Sequence, residues 1–320
     1  MKVAIVGAAG QTGRMITNAL LTQPDKFQVT ALSRPTSLQK PEILELEERG
    51  VQIVKLDLAG PEEDITKALY GIDVLISTMF GLSVHDEIPL IDAAKKAGVK
   101  RFIPSFFATT APPKGALGIR DMKEDVLNHI KLVKLPYTVV DVGWWYQATV
   151  PRLPSGRSDY ALPEFQSTIP GNGNVPLLLS DIRDIGNFVA RIITDPRTLN
   201  KMVLAYSEVR THYQIWDMFN RISGEEIPRK HIAAEDIEVQ IDEIKKKTPS
   251  PNDPEFFTLT LLQYQYSCGV RGDNTPENAE YLGYLSSKEL YPDFKGIELE
   301  TYMQEILDGK AERVYKHMKL

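Results

Sequence analysis

Three glycines near the start of the chain are spaced for chemistry on a phosphate. The stretch "VAIVGAAGQTGRM" places Gly7, Gly10 and Gly13 three residues apart, between an apolar run and a helical pattern. The first glycine permits a tight turn, the second lets a pyrophosphate approach the backbone, and the third lets helix and strand pack closely. The amides at Gln11 and Thr12 open the helix and are donors for the phosphates. The motif therefore predicts a dinucleotide site.

The end of the next apolar run, "ALSRPTSLQK", indicates which dinucleotide binds. A site for NAD usually has an acidic residue here that accepts a hydrogen bond from the ribose. Ser33 and Arg34 stand there instead, and a guanidinium binds the 2'-phosphate that a carboxylate would repel. Lys40 adds a second cation. Solvated loop charges are the alternative interpretation, but the position favours NADPH/NADP+ as the cofactor.

A lysine interrupts the apolar face of the helix predicted after the fifth strand. At helical spacing one stripe contains Ile119, Met122, Lys123, Val126, Leu127 and Ile130. A buried charge marks either an ion pair or a functional group. Typical short-chain dehydrogenases have Tyr-x-x-x-Lys on this helix, and the tyrosine donates a proton. Here Ile119 occupies the position of the tyrosine, so Lys123 would act without it.

Other candidate chemistry is weaker. Three Tyr-x-x-x-Lys strings begin at Tyr284, Tyr291 and Tyr315, but all lie far beyond the predicted sheet. The five histidines show no metal-binding spacing, and nothing around Cys268 suggests a nucleophile. We therefore expect no metal.

The residues that could do chemistry require a sheet to position them. Six short apolar runs alternate with helical patterns, which predicts a parallel, doubly wound α/β sheet of the Rossmann type. The predicted strands are Val3–Val6, Val29–Leu32, Gln52–Leu56, Val74–Thr78, Arg101–Pro104 and Thr138–Val142. Residues 1–150 are predicted to bind NADP(H), together with a returning helix near 181–195 that Asp184 could cap. Residues 151–320 are predicted to form a smaller, mostly helical substrate lobe.

Further contacts are expected at the carboxyl ends of these strands, where ligands of such folds bind. Near the adenine we expect Asp57, which follows the third strand. Small residues after the fourth strand let the dinucleotide pass, and the fifth ends near the nicotinamide. The predicted cofactor contacts here are Ser77, Thr78, Phe80, Ser105 and Phe106, together with Lys123 from the helix that follows the fifth strand. Aromatic side chains after strand ends suit a flat substrate, and the candidates are Phe107, Trp144, Trp145 and Tyr146.

Composition limits the classes of function. The 320 residues carry a formal net charge of -6 and no long basic run, so nucleic acid is not an expected partner. A single cysteine excludes an intrachain disulfide, and no apolar run approaches the roughly 20 residues that cross a bilayer. We expect a cytoplasmic protein that does not bind membranes and is a monomer or a homodimer.

Several segments together resemble one known family. They are "VAIVGAAGQTGR", "LSRP" with Lys40, "LIDAAKKAGVKRFIPS", Lys123 with the later "KLPYT", "DIRDIGNFVARIITDPRTLNK" and "SKELYPDFKGIELETYM". The chain is similar to the NmrA-like, isoflavone reductase-like group of atypical short-chain dehydrogenases, which includes phenylcoumaran benzylic ether and pinoresinol-lariciresinol reductases. One departure concerns "PSEFG", common in the family, which reads "PSFFA" here. Phe106 replaces the acid.

The resemblance implies NADPH-dependent hydride transfer to a small aromatic or phenolic metabolite, by reduction of an activated C=C bond or a benzylic ether. Lys123 would be the acid/base, and Arg34 and Lys40 would contact the 2'-phosphate. A different hypothesis is a regulatory protein that senses NADP(H) without turnover. Lys123 and the aromatic residues favour the enzyme, since a sensor needs neither.

Overall fold

The computed structural model describes residues 1–163, 168–251 and 253–315. His317 and Lys319, the latter from the third Tyr-x-x-x-Lys string, lie outside the described residues. The chain divides into two compact units, each made of three stretches. The first contains Met1–Phe107, Asp121–Asp141 and Ile185–Val203, and the second contains the remainder.

This division differs from the predicted one, which had a boundary at residue 150 and a returning helix near 181–195. Residues 108–120 and 142–150 belong to the second unit, while Ile185–Val203 returns to the first. As a result the second unit, which was predicted to be the smaller, is the longer of the two. The cause is that the chain leaves the first unit three times, after Phe107, Asp141 and Val203, and re-enters it twice, at Asp121 and at Ile185, each time within a helix.

The strands and helices are numbered in chain order. The strands are β1 (Lys2–Val6), β2 (Gln28–Ser33), β3 (Gln52–Lys55), β4 (Val74–Ser77), β5 (Arg101–Ile103), β6 (Thr138–Asp141), β7 (Trp144–Trp145), β8 (Ile169–Pro170), β9 (Leu177–Ser180), β10 (Lys201–Leu204), β11 (Glu208–Arg210), β12 (His231–Ile232) and β13 (Leu285–Ser286). The helices are α1 (Gln11–Leu21), α2 (Pro41–Glu48), α3 (Glu62–Ala68), α4 (Ile88–Ala97), α5 (Gly118–Leu132), α6 (Ile182–Ile192), α7 (His212–Ser223), α8 (Ala234–Lys246), α9 (Pro254–Tyr266), α10 (Pro276–Tyr281), α11 (Ser287–Leu290) and α12 (Leu299–Leu307).

The first unit is built on a parallel sheet with the strand order β3-β2-β1-β4-β5. A parallel bridge between Phe102 and Tyr137 adds β6 beyond β5, and β10 pairs with β6. The six predicted strands are confirmed, each within one residue of its predicted ends. The chain adds β2 and β3 on one side of β1, and β4 and β5 on its other side. Because the order reverses between β1 and β4, a crevice opens between the carboxyl ends of these two strands.

The helices of the first unit cover both faces of this sheet with apolar side chains. One buried cluster joins Leu75 and Phe102 of the sheet to Leu90 of α4 and Val126 of α5. Helix α6 lies directly against α1, because a Cβ at Gly186 would come within 2.1 Å of Met15 O. This contact explains why the helix near 181–195 returns to the first unit.

The second unit combines short strands with most of the later helices. Strand β9 pairs with β7 in parallel and with β11 in antiparallel orientation, and β8 pairs with β12. Asp184 does not cap α6, as the sequence suggested, since the helix begins two residues earlier at Ile182. Its carboxylate instead accepts from Ile297 N–H at 2.7 Å, while Asp181 accepts from Arg183 N–H. Within the described residues, no helix has the length and apolarity that a bilayer span requires.

Candidate cofactor and active site

The turn between β1 and α1 is shaped by its glycines. Gly7 has a φ of +79°, and a Cβ on Gly13 would lie 2.1 Å from Gly7 O, so neither position accepts a larger residue without a shift. Gly10 N–H donates to Gly7 O at 2.8 Å and closes the turn. The N–H groups of Gln11, Thr12 and Gly13 begin α1 and have no hydrogen-bond acceptor within the helix, so they point out of its amino-terminal end. This cradle fits a pyrophosphate.

Thr78 holds this turn from the neighbouring strand. Its hydroxyl lies 2.9 Å from Val6 O and 3.1 Å from Gly7 O, and its N–H donates to Val6 O at 3.0 Å. A side chain at Gly7 would collide with Thr78 Oγ1 at 2.7 Å. Thr78 was predicted to contact the cofactor, and its hydroxyl is already bound to the backbone of the turn. It therefore fixes the crevice between β1 and β4.

The predicted 2'-phosphate contacts lie after β2. Ser33 ends the strand and is buried, whereas Arg34 and Lys40 are exposed and precede a 3-10 turn and α2. Across the described ranges, neither cation forms an ion pair with a carboxylate. Asp57 is exposed after β3, and its carboxylate accepts from Ala59 N–H at 3.0 Å. Phe80 is also exposed, after β4. Arg34 and Lys40 can thus meet an anion from outside.

Lys123 is buried, as the apolar stripe predicts. It is 5% exposed on α5, and the rest of the stripe is buried except Met122, which is half-buried. Lys123 Nζ donates to Phe106 O at 2.5 Å and lies 5.6 Å from the centre of the Phe106 ring. Phe106 follows β5 at the carboxyl edge of the sheet. The ammonium is therefore held at the edge to which the glycine turn also belongs.

Glu87 is a second buried ionisable residue in this region, and the sequence reasoning missed it. It lies between β4 and α4, is 1% exposed, and accepts from Ser105 N–H at 2.9 Å through Oε1. Ser105 Oγ in turn donates to Met79 O at 2.7 Å. Desolvation raises the pKa of Glu87 to about 7, against the opposing effects of Ser77, Ser105 N–H and the charge of Lys123. The only sequence signal was the acid missing at position 106.

The predicted aromatic residues divide between the two units. Phe107 ends the first unit, is buried and has a φ of +35°, which is uncommon for a residue with a side chain. Trp144 and Trp145 are half-buried in the second unit. Tyr146 is fully buried in the core of the second unit, where its hydroxyl donates to Ile297 O at 3.0 Å. The structure therefore gives no support to the prediction that Tyr146 contacts the substrate, because its side chain is packed within the core.

The second unit contains a cavity of about 70 Å³. Its walls include Trp144, Trp216 and Tyr264, and the rings of Trp144 and Tyr264 meet edge to face at 5.3 Å. His212 and Cys268 also line it. Burial raises the pKa of the Cys268 thiol, so this side chain is a neutral part of the wall. Sequence reasoning selected only Trp144 from this set, since the others come from helices distant in the chain.

Two polar atoms at this cavity have no hydrogen-bond partner among the described residues. They are His212 Nδ1 and Trp216 Nε1, and both are shielded from solvent. Burial lowers the pKa of His212 to about 4, and the nearby His231 acts in the same direction, so the ring is neutral near pH 7. An indole N–H and a neutral imidazole offer polar contacts to a ligand within aromatic walls.

The features described above define a nucleotide-binding α/β fold with a buried lysine at its ligand edge, and comparison with known proteins identifies the family. The model of the NmrA-like family matches residues 1–302. The chain belongs to the NmrA-like family. The resemblance stated from the sequence is therefore confirmed.

Relatives of the chain match over almost its whole length. The chain is 45% identical to asnovolin J 5',6'-dehydrogenase nvfM of Aspergillus novofumigatus, covering 97% of this chain and 96% of the relative. It is 28% identical to phenylcoumaran benzylic ether reductase TP7 of Nicotiana tabacum, covering 94% and 97%. The solved NADPH complex of leucoanthocyanidin reductase from Vitis vinifera has a TM-score of 0.80 at 24% identity, covering 96% and 100%. The last comparison supports the fold. The chain is an oxidoreductase.

Proposed function

We propose that the protein is an NADPH-dependent reductase of a small aromatic or phenolic metabolite, with Lys123 as its acid/base. The observation that carries this proposal is the buried Lys123 ammonium, held 2.5 Å from Phe106 O at the carboxyl edge of the sheet. The glycine turn lies at the same edge and leaves room for a pyrophosphate. We place this activity in the cytoplasm.

The cofactor proposal depends on what the residues after β1 and β2 can bind. The amides of Gln11, Thr12 and Gly13 would bind the pyrophosphate, and Arg34 with Lys40 would bind the 2'-phosphate. The named NADPH complex of a structural neighbour agrees with this assignment. When bound, NADPH supplies the hydride, and the protein must supply or stabilise the accompanying proton.

Lys123 suits that second task. An ammonium at the nicotinamide end of the crevice can donate a proton to the reduced substrate, or stabilise an oxyanion that develops on it. No tyrosine lies one turn earlier, since that position is Ile119. In the proposed reaction Lys123 therefore holds the proton itself, and Phe106 O orients its Nζ.

The cavity of the second unit supports an aromatic substrate. Trp144, Trp216 and Tyr264 provide flat apolar surface, while His212 Nδ1 and Trp216 Nε1 can bond a hydroxyl or carbonyl group. The name of one relative describes a dehydrogenase and that of another a reductase. Hydride transfer should accordingly be assayed in both directions.

The decisive experiment follows absorbance at 340 nm with a panel of phenols, enones, benzylic ethers and quinones. We expect Lys123→Met to lower kcat by about 100-fold or more, the range of general acid catalysis, with the Kd for NADPH changed by less than about threefold. Lys131→Ala is the matched control, because Lys131 is an exposed lysine of the same helix. Equal turnover by Lys123→Met would refute the acid/base role.

A second experiment addresses the substrate cavity. Trp216→Phe keeps an aromatic wall but removes the indole N–H, so we expect KM for the substrate to rise about fivefold to tenfold with kcat little changed. The Kd for NADPH provides the control. Tight NADPH binding with no turnover of any substrate would instead favour the sensor hypothesis.

A further inference from the structure

Two buried charged side chains hold one short segment after β5. Glu87 accepts from the N–H of Ser105 at 2.9 Å, and Lys123 donates to the carbonyl of Phe106 at 2.5 Å. Glu87 is 1% exposed and Lys123 is 5% exposed. The acid and the base thus bind adjacent residues of the backbone, where β5 reaches the ligand edge of the sheet.

The acid comes from a different element than the family pattern suggests. The resemblance places an acid at position 106, but this chain has Phe106, whose side chain packs with Leu127 and Val139. Glu87 instead reaches the same segment from the turn before α4. An acid is therefore present beside the Ser105–Phe106 segment although the local sequence "PSFFA" contains none.

The surroundings of Glu87 leave Lys123 as its charged neighbour. Ser77 and Ser105 N–H are the polar groups that favour its ionised form, and Lys123 is the charged group that does so. Asp86 and His85, on the same turn, are exposed to solvent, and His85 lies 3.6 Å from the Asp125 carboxylate. Lys123 is thus the charged side chain that favours ionised Glu87, with a smaller effect than the hydrogen bonds from Ser77 and Ser105 N–H.

We propose that Glu87 is a positioning residue for Lys123, so that the two side chains titrate as one couple through the Ser105–Phe106 segment. Ionised Glu87 favours the ammonium form of Lys123 and fixes the backbone that orients its Nζ. This inference rests on the proposed role of Lys123. It assigns to Glu87 no contact with substrate or cofactor.

The first test is the pH dependence of kcat in Glu87→Gln. The amide oxygen can still accept from Ser105 N–H, so the variant removes the charge while keeping the size and the acceptor. We expect the wild-type profile to have an inflection near pH 7 that is lost in Glu87→Gln, and its alkaline limb to move to lower pH in the variant. At pH 8 we expect kcat to fall about tenfold.

The matched control is Asp86→Asn, which removes the same charge from an exposed residue of the same turn. Its kcat profile should coincide with that of the wild type. A Glu87→Gln profile that keeps both limbs of the wild type would overturn the proposal. A loss of kcat that is uniform in pH would also overturn it, because a structural defect alone gives that result.

The second test does not require turnover. In protein with 13C-labelled glutamate carboxyls, we expect one resonance to titrate near pH 7 and to move to higher pH in Lys123→Met, because the neighbouring cation is lost. A titration left in place by Lys123→Met would refute the couple even in an inactive protein. If instead activity requires Lys123 but Glu87→Gln keeps the wild-type profile, the proposed function stands and this inference fails.

Discussion

The two ends of the predicted cofactor crevice use charge in opposite ways. At the phosphate end, Arg34 and Lys40 are exposed, and the glycine turn presents backbone amides. At the other end, Lys123 and Glu87 are buried and both bind the backbone of the Ser105–Phe106 segment. Exposed cations attract a charged ligand but are screened by salt, whereas buried groups keep a fixed geometry and shifted titration. In the proposed function, cofactor recognition and hydride-transfer chemistry are thus separated along one edge of the sheet.

The largest effect is expected from a methyl group in the glycine turn. Gly13→Ala would place a Cβ 2.1 Å from Gly7 O, which the backbone cannot accommodate without opening the turn. We expect loss of measurable NADPH binding by fluorescence titration, together with a lower Tm. Gly10→Ala is the graded comparison, since its Cβ would lie 3.1 Å from the same oxygen and should cost much less. Equal affinities of Gly13→Ala and wild type would contradict the assigned cradle.

The second largest effect is a change with pH in the free energy of unfolding, caused by the buried carboxyl group of Glu87. The pKa of Glu87 is raised in the folded protein from 4.5 to about 7, so the folded state holds a proton that the unfolded chain has released. Stability from this group therefore falls as pH rises from about 4.5 to about 7. Relative to Glu87→Gln, the wild type should lose at most about 3 kcal/mol across that window.

Urea unfolding of both proteins at pH 5 and pH 8 measures this difference. The comparison with the variant is needed because His212 has the opposite effect. Its pKa is lowered to about 4, so its contribution is lost as pH falls below about 6.5. That contribution is common to both proteins and cancels. A difference that does not vary with pH would show that Glu87 is not desolvated as the structure indicates.

A smaller effect is expected from charge reversal at the phosphate end. Arg34→Glu should weaken NADPH binding by about 10-fold to 50-fold and leave NADH binding unchanged or tighter, because a carboxylate repels the 2'-phosphate. The control is Lys26→Glu, an equal charge change just before β2, at the opposite end of that strand. Equal NADPH affinity in Arg34→Glu and wild type would leave the cations as loop charges without a ligand.

The smallest effect is the different salt dependence of the two ends of the crevice, measured as the Kd for NADPH and as kcat. Raising NaCl from about 0.05 to about 0.5 M shortens the Debye length severalfold, so the Kd for NADPH should rise about threefold to tenfold. The kcat at saturating NADPH should change by less than about twofold, since Lys123 and Glu87 are buried. A kcat as salt-sensitive as the Kd would mean that the buried end is open to ions.

Much of the first unit could be predicted because its signals are local. The six strands, the glycine turn and the apolar stripe with Lys123 are each recognised by residues spaced two to four apart, so a short stretch of sequence is enough to predict them. The structure divides the chain differently from the boundary predicted at residue 150, for a non-local reason. The chain crosses between the units at Phe107 and Asp141, while α6, the helix that was expected to return, fits Gly186 against Met15.

The candidate site was predictable only where a residue's role follows from its own element. Tyr146 resembled its neighbours Trp144 and Trp145 in sequence, yet it is buried in the core with its hydroxyl on Ile297 O. His212 and Trp216 were missed because α7 brings them to the cavity from a part of the chain without a motif.

The sequence by itself determined the α/β class, the glycine turn and a lysine inside an apolar helix face, since each depends on spacing within a few residues. Only the tertiary structure decided what that lysine meets. Glu87 and Ser105 are 18 residues apart in the chain and become partners only when the parallel strands bring their carboxyl ends to one edge. Glu87 and Lys123 both bond to backbone atoms, which every residue type has, so no particular residue type marks their partners in the sequence. Their burial and hydrogen bonds are therefore visible only in the folded chain.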